Sequence, residues 1–260
     1  MQFVDSHCHL DLIEQTENGP SIPTLLTEAE HQAVKYFLCV CVTLKDFPAM
    51  FAKINTYPNV WASVGLHPNE VADHEPSIED IVQLARDKKV IAIGETGLDY
   101  YRTEGDVAFQ HERFRRHIRA ARQLNKPLII HSRQAKADTI RLLKEEQADT
   151  VQGVMHCFTE DLEMAQAAIE LGFYISFSGI VTFSNAKTLQ TVAREIPLDR
   201  MLIETDSPWL APVPHRGKLN QPAYVRHVAE FIATLRGVSL EEIAKVTTAN
   251  FFKLFHVEAS

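Results

Sequence analysis

"FVDSHCHLD" occupies residues 3–11. Phe3 and Val4 begin an apolar run that ends in two histidines one residue apart, the pattern of a β-strand whose carboxyl end carries chemistry. Residues i and i+2 of a strand share a face, so His7 and His9 present two imidazoles to one point, with Asp5 on the same side. Cys8 turns the other way and reads as a packed small residue. Neutral imidazole is the commonest side-chain metal ligand. The meaning of the pair depends on what else reaches the same place.

Seven more short apolar runs follow: "YFLCVCV" (36–42), "VWASVGLH" (60–67), "VIAIGETG" (90–97), "PLIIHS" (127–132), "GVMHCF" (153–158), "FYISFSG" (173–179) and "MLIETDS" (201–207). They are rich in Val, Ile and Phe, as strands buried on both faces should be. Helical patterns lie between them. Residues 107–124 place Val107, Phe114, Ile118 and Ala121 at helix spacing, which predicts a surface helix carrying His111 and His117. Thr159 is the expected N-cap of a helix over 160–171 and Ser184 the expected start of another over 184–196. Pro222 suits the first turn of a further helix, and Ser239 with Glu242 suits a capping box for the last one. Strand and helix alternate eight times within 260 residues, which predicts an α/β chain folded as one (β/α)8 barrel over 1–260. An open doubly wound sheet lacks its glycine-rich phosphate loop.

Composition narrows the setting. The chain is 45% hydrophobic and 23% charged, ordinary for a globular protein, and no apolar run approaches the roughly 20 residues that span a bilayer. The opening "MQFVDSHCHL" has neither a basic nor an apolar targeting segment. Cys8, Cys39, Cys41 and Cys157 are scattered among apolar residues. Reduced cysteines and a cytoplasmic location are therefore expected. The formal net charge of −8 disfavours broad electrostatic binding to nucleic acid and leaves room for a local basic patch.

In such a barrel the chemistry gathers at the carboxyl ends of the strands. Those ends carry His7 and His9, His67 in "GLHP", Glu95 in "IGETGLD", His131 in "IIHSR", His156 in "VMHCF", and Glu204 and Asp206 in "IETDSP". Crowding so many ionisable groups is costly unless they pair or bind a cation. Nitrogen and carboxylate donors together suit Zn²⁺, Mn²⁺ or a similar ion. His31, His74, His227 and His256 show no partner pattern and are assigned to solvent or packing.

Taken in order, "DSHCHLD", "GLHP", "IGETGLDY", "PLIIHSR", "MHCF" and "IETDSPWLAPVPHRGKLNQP" resemble the signatures of the TatD family of metal-dependent hydrolases, amidohydrolase-like barrels, and the likeness runs on to "TTANFFKLF". Members are typically divalent-cation-dependent deoxyribonucleases, including 3′-to-5′ exonucleases. The resemblance implies two divalent cations per chain, Mg²⁺, Mn²⁺ or Zn²⁺. His7, His9, Glu95 and Asp206 would hold one; Glu95, His131 and His156 would hold the other, with Glu95 bridging. It further implies substrate-phosphate contacts at His67 and Arg133.

The expected reaction is metal-assisted hydrolysis, with Asp206 as ligand and proton acceptor and Glu204 orienting a ligating histidine. The expected substrate is DNA, single-stranded or at 3′ ends. Basic residues in the loops (Arg102, Arg133, Lys136, His215, Arg216, Lys218) are interleaved with Tyr100, Tyr101, Phe158 and Trp209. A basic rim can hold a strand's backbone while aromatic faces stack on its bases. The same cluster of donors also suits an ester or amide hydrolase, such as an aminoacyl-ester deacylase, or a metal-binding scaffold without turnover.

Overall fold

A computed structural model describes residues 1–103 and 105–258 of the chain. Among these residues eight parallel strands form one sheet in sequential order: β1 Phe3–Cys8, β2 Val34–Cys39, β3 Val60–Val64, β4 Val90–Asp99, β5 Leu128–Arg133, β6 Gly153–Met155, β7 Tyr174–Phe177 and β8 Met201–Ile203. The sheet closes between its first and last strands. Cys8 bridges to Ser207, the His9 amide donates to Ser207 O at 2.9 Å, and the Asp206 amide donates to His7 O at 2.9 Å. The expected (β/α)8 barrel is therefore the observed fold.

The described helices are α1 Leu10–Gln15, α2 Ile22–His31, α3 Phe47–Ile54, α4 Ile78–Leu84, α5 Ala108–Leu124, α6 Lys136–Glu145, α7 Leu162–Glu170, α8 Lys187–Glu195, α9 Val225–Arg236 and α10 Leu240–Phe255. None is long and apolar enough to cross a membrane. Local chemistry sets their ends. Asp161, not Thr159, caps α7 by accepting from Met164 N, because its side chain stands three residues before that free amide. The stretch after Ser184 first makes a turn, and α8 starts only at Lys187. Pro222 opens a 3₁₀ turn that leads into α9, and Ser239 accepts from Glu242 N at the start of α10.

Alternation along the strands divides the core in two. Phe37, Val60, Val90, Leu128, Met155 and Met201 face the helices. Their neighbours Leu38, Trp61, Ile91, Ile129, Val154, Tyr174 and Leu202 fill the barrel interior. All of these interior residues but Leu38 lie near the start of their strands, and Phe251, Leu254 and Phe255 of α10 belong to the same cluster. The amino-terminal end of the barrel is thus stoppered with hydrocarbon, and the carboxyl end is left for polar groups.

The helix α5 departs from the sequence reading. Gln110, Arg113, Phe114, His117, Ile118 and Ala121 form its buried stripe. His117 belongs to that stripe at the i+3 and i+4 spacing and is fully buried, so it is a core residue and not a surface one.

Candidate metal centre

The strand ends bring the expected residues to one place. His7 ends β1 beside Cys8, Glu95 lies within β4, and His131 lies within β5. His9, His156 and Asp206 stand just past β1, β6 and β8. His7 Nε2 is 3.2 Å from His9 Nε2 and 3.5 Å from Asp206 Oδ1, and His9 Nε2 is 3.4 Å from the same oxygen. The two oxygens of Glu95 face different histidines. Oε2 lies 3.4 Å from His7 Nε2, while Oε1 lies 3.1 Å from His131 Nδ1, 2.7 Å from His156 Nε2 and 3.5 Å from His67 Nε2. His7 and His156 stack at 4.0 Å between ring centroids, which joins the two halves.

Three of these histidines are aimed through their second nitrogens. His9 Nδ1 donates to Val40 O at 2.8 Å. His131 Nε2 bonds Asp99 Oδ2 at 3.0 Å, and Asp99 in turn accepts from Asn69 Nδ2 and from the Tyr101 and Arg102 amides. His156 Nδ1 bonds Glu204 Oε1 at 3.2 Å, and that oxygen also accepts the Cys157 amide at 2.8 Å. Carboxylates placed behind histidines in this way fix tautomer and raise ligand basicity. Glu204 stands behind His156. Asp99 was not singled out from sequence, although it stands at i+4 from Glu95 on the same strand face.

Electrostatics follow from this packing. Burial pushes the Glu95 carboxyl up, but His156, His67 and His131 outweigh it and hold the group well below the ordinary carboxylate range. Asp206 is likewise lowered: burial opposes its charge, and His9, His7 and His156 prevail. Burial disfavours charge on His156, yet Glu95 and Glu204 raise it well above the usual imidazole value. His131 is raised against burial by Asp99 and Glu95, and His9 against burial by Asp206. Burial alone dominates at His67, which falls to about 4. The carboxylates demand positive charge at their centre, and protons on these histidines meet that demand where no cation is bound.

The donors fit a cation. Ligands of a tetrahedral ion with bonds of about 2.0–2.1 Å stand about 3.3–3.4 Å apart, and the His7–His9–Asp206 triangle has edges of 3.2, 3.5 and 3.4 Å. His156 Nε2 is buried and makes no hydrogen bond although Glu95 Oε1 is 2.7 Å away. His7, His9 and Glu95 could hold an ion, as could His7, His156 and Asp206, or His67, Glu95 and His131. His67 stands within the cluster, and its Nδ1 accepts the Asn69 amide at 3.1 Å. Asp5 does not join the ligands: it is buried beneath them, bonded to Thr205, and burial pushes its carboxyl up to about 8.

A family of sequences described as TatD related DNase matches residues 4–256. The chain belongs to the TatD family. It is 51% identical over 261 residues to the uncharacterized metal-dependent hydrolase YcfH of Escherichia coli K12, covering 100% of this chain and 98% of that protein. It is 41% identical to the uncharacterized metal-dependent hydrolase YabD of Bacillus subtilis, covering 97% and 98% of the two chains. Among solved structures it resembles YJJV, a TatD homologue from Escherichia coli K12, with a TM-score of 0.89 and 28% identity over 98% of both chains. This TatD protein is accordingly a metal-dependent hydrolase built on a (β/α)8 barrel.

The loops around the centre are more selective than the sequence suggests. Arg133 Cζ stands over the Tyr101 ring, 4.0 Å from its centroid, and Arg216 Cζ over Phe183 at 4.1 Å. Tyr101 is 58% exposed and Trp209 51% exposed, and the Trp209 ring meets His9 edge-on at 5.3 Å. Lys218 is exposed. Four expected rim residues are engaged elsewhere. Lys136 pairs with Asp161 and Glu163, Tyr100 bonds Asp138 and His111, Phe158 is buried in the core, and His215 bonds His227. Their own local partners outcompete the mouth.

The cysteines are all free thiols. Cys8 turns from the centre toward Leu38 O, and Cys157 contacts Ser178 Oγ at 3.2 Å. Burial pushes both thiols well above their usual value, and Cys41 up to about 12. None is poised as a thiolate nucleophile.

Proposed function

We propose that this TatD protein is a deoxyribonuclease that hydrolyses phosphodiester bonds of single-stranded DNA from its 3′ end. The observation that carries the reading is the combination at one barrel mouth: a buried histidine–carboxylate cluster beside exposed Tyr101 and Trp209 and the stacked cations Arg133 and Arg216. Arg133 and Arg216 offer phosphate contacts, while the two exposed rings offer faces to terminal bases. A closed mouth admits a chain end more readily than the middle of a strand.

His7, His9, Glu95 and Asp206 would hold one divalent ion, and Glu95, His131 and His156 a second; the separate orientation of the Glu95 oxygens supports a bridging role. His67 joins the second set on the same ground. Divalent cations there supply positive charge that acidifies a water molecule toward a pKa of about 7 and neutralises charge building on the attacked phosphate. Asp206, held ionised by His9 and His7, would accept a proton from the attacking water. Glu204 and Asp99 keep His156 and His131 aimed at Glu95. The stoppered floor of the barrel leaves the mouth as the route for substrate.

The test is hydrolysis of 3′-labelled and 5′-labelled single-stranded DNA, an aminoacyl ester and an anilide, each with Mg²⁺, Mn²⁺ or Zn²⁺ and with chelator. Early release of mononucleotide from the 3′ label supports the proposal. Faster turnover of the aminoacyl ester or the anilide than of any DNA refutes it and favours the carbonyl-hydrolase reading. Arg216→Ala and Lys218→Ala should slow DNA degradation most at low salt, with a shallower salt dependence than wild type, and leave a small chromogenic phosphodiester almost unaffected.

A further inference from the structure

In the loop after β8, Lys218 and Leu219 are exposed, yet the next residue, Asn220, is fully buried. Both hydrogens of its side-chain amide are used. Nδ2 donates to Thr205 O at 2.8 Å and to Trp209 O at 2.5 Å, and Oδ1 accepts the Gln221 amide at 3.0 Å. Carbonyls on one side and an amide on the other fix which way the group points. The Asn220 backbone amide adds a bond to Pro208 O at 3.0 Å. A buried carbonyl needs a donor, and here one residue serves three of them, at Thr205, Pro208 and Trp209.

These carbonyls bracket Asp206. Thr205 O belongs to the peptide unit that leads into Asp206, and Asp206 itself stands at a φ of +54°, a left-handed conformation that residues other than Gly adopt only when held. The orientation of that peptide unit decides where the Asp206 carboxylate points, and Oδ1 now points at His9 Nε2 and His7 Nε2, 3.4 and 3.5 Å away. Bonds to β1 supply part of the hold: the Asp206 amide donates to His7 O, and Asp5 accepts the Thr205 amide and hydroxyl. Asn220 supplies the rest from within the loop. Its second hydrogen fixes the carbonyl of Trp209, whose ring meets His9 edge-on at 5.3 Å and whose amide donates to Asp206 O. One side chain therefore sets a carboxylate of the metal centre and an aromatic wall of the mouth together.

We propose that Asn220 is a positioning residue of this TatD protein, which holds the Asp206 carboxylate toward the bound cation and the Trp209 ring toward the substrate; the second role rests on the proposed action on DNA. The molecule contains its own control. Asn250 is also buried, and its Nδ2 likewise donates to two carbonyls, Leu198 O and Met201 O, both at 2.8 Å. Those carbonyls lie at the start of β8, at the stoppered end of the barrel, whereas the partners of Asn220 follow the end of the same strand. Changing either Asn to Asp keeps the shape and removes the donors, because a carboxylate only accepts. The lost bonds are alike, so a difference in consequence reports position and not bond count.

The test compares full-length wild type, Asn220→Asp and Asn250→Asp by Zn²⁺ affinity in competition with a chromophoric chelator, by turnover of a small chromogenic phosphodiester, and by fluorine NMR after labelling with 5-fluorotryptophan. The chain has two tryptophans, Trp61 and Trp209, so each ring gives its own line. Asn220→Asp should weaken Zn²⁺ binding about 10- to 100-fold, lower kcat about 10-fold or more, and shift and broaden the Trp209 line even without metal. Asn250→Asp should lower Tm and leave Zn²⁺ affinity, kcat and the Trp209 line at their wild-type values. Asn220→Ser, with one donor in place of two, should fall between wild type and Asn220→Asp, and it carries the test if the Asp variant fails to fold. On single-stranded DNA the KM of the Asn220 variants should rise as well. Wild-type Zn²⁺ affinity with an unmoved Trp209 line in a folded Asn220 variant overturns the proposal. Equal losses in Asn220→Asp and Asn250→Asp overturn it too, and leave Asn220 a support of the fold alone. A wild type inert toward DNA refutes the deoxyribonuclease reading and the DNA role of Trp209, while Zn²⁺ affinity and the fluorine line still decide the hold of Asn220 on Asp206.

Discussion

Acid should loosen this barrel through His117, outside the metal centre. The side chain is fully buried, and both ring nitrogens are engaged: Nδ1 donates to Arg113 O at 2.8 Å, and Nε2 accepts the Leu66 amide at 3.0 Å. Only the neutral ring satisfies both bonds, because a proton on Nε2 would face the Leu66 N–H. Burial is the main cause that lowers the group to about 4 from an ordinary 6.5. Between those values the unfolded chain binds more protons than the folded one, so stability rises with pH. The contribution is complete above about pH 6.5 and is lost as pH falls toward 4. A shift of that size corresponds to about 3.4 kcal/mol in the acid limit, of which about 2 kcal/mol is lost between pH 7.5 and 5. Urea unfolding of wild type and His117→Gln at both pH values, with chelator present, isolates the effect; the site histidines titrate in both proteins and cancel. The wild-type advantage should shrink by about 2 kcal/mol at pH 5. An advantage that is constant with pH would refute the reasoning. The Leu66 amide precedes His67, so the same protonation loosens one wall of the centre.

Other substitutions probe the supports of the site. Asp99→Asn should weaken divalent-ion binding about 10- to 100-fold, measured by titration of activity against free metal, because His131 loses its carboxylate. Gly97→Ala should cost about 3 kcal/mol or abolish soluble expression, since a Cβ there would lie 2.0 Å from His131 O at a φ of +140°; thermal unfolding reads the loss. Replacing Cys8 and Cys157 together by Ala should leave kcat within a few-fold of wild type, as neither thiol faces the cluster; loss of turnover in a folded double variant would show one of them to be a nucleophile or a ligand.

Much of this was legible in the sequence because barrel chemistry follows a positional rule. Apolar runs that end in His7, Glu95, His131 or His156 mark strands by their hydrocarbon and site residues by their last polar group. The supports were less visible. Asp99 stands in an ordinary "GLDY", and only the pairing of β4 with β5 brings it behind His131. His117 shares a helix face with Phe114 and Ile118, yet a histidine on a charged helix reads as solvated until its two backbone partners are placed. Lys136 and Phe158 follow strands, and from sequence alone that places them at the rim. A nearby acidic pair claims the lysine, and burial claims the ring. His215 and His227 are twelve residues apart, on a loop and a helix, and no periodicity joins them.

The central claim is that one histidine–carboxylate cluster, organised around Glu95, hydrolyses substrate with divalent cations. Turnover of a small chromogenic phosphodiester by wild type and Glu95→Gln, before chelation, after it, and after a divalent cation is returned, tests this most directly. Chelation should abolish wild-type turnover, the returned cation should restore it, and Glu95→Gln should remain slower by about 10³-fold or more throughout. Wild-type turnover that survives chelation, or a Glu95→Gln variant as fast as wild type, would contradict the account.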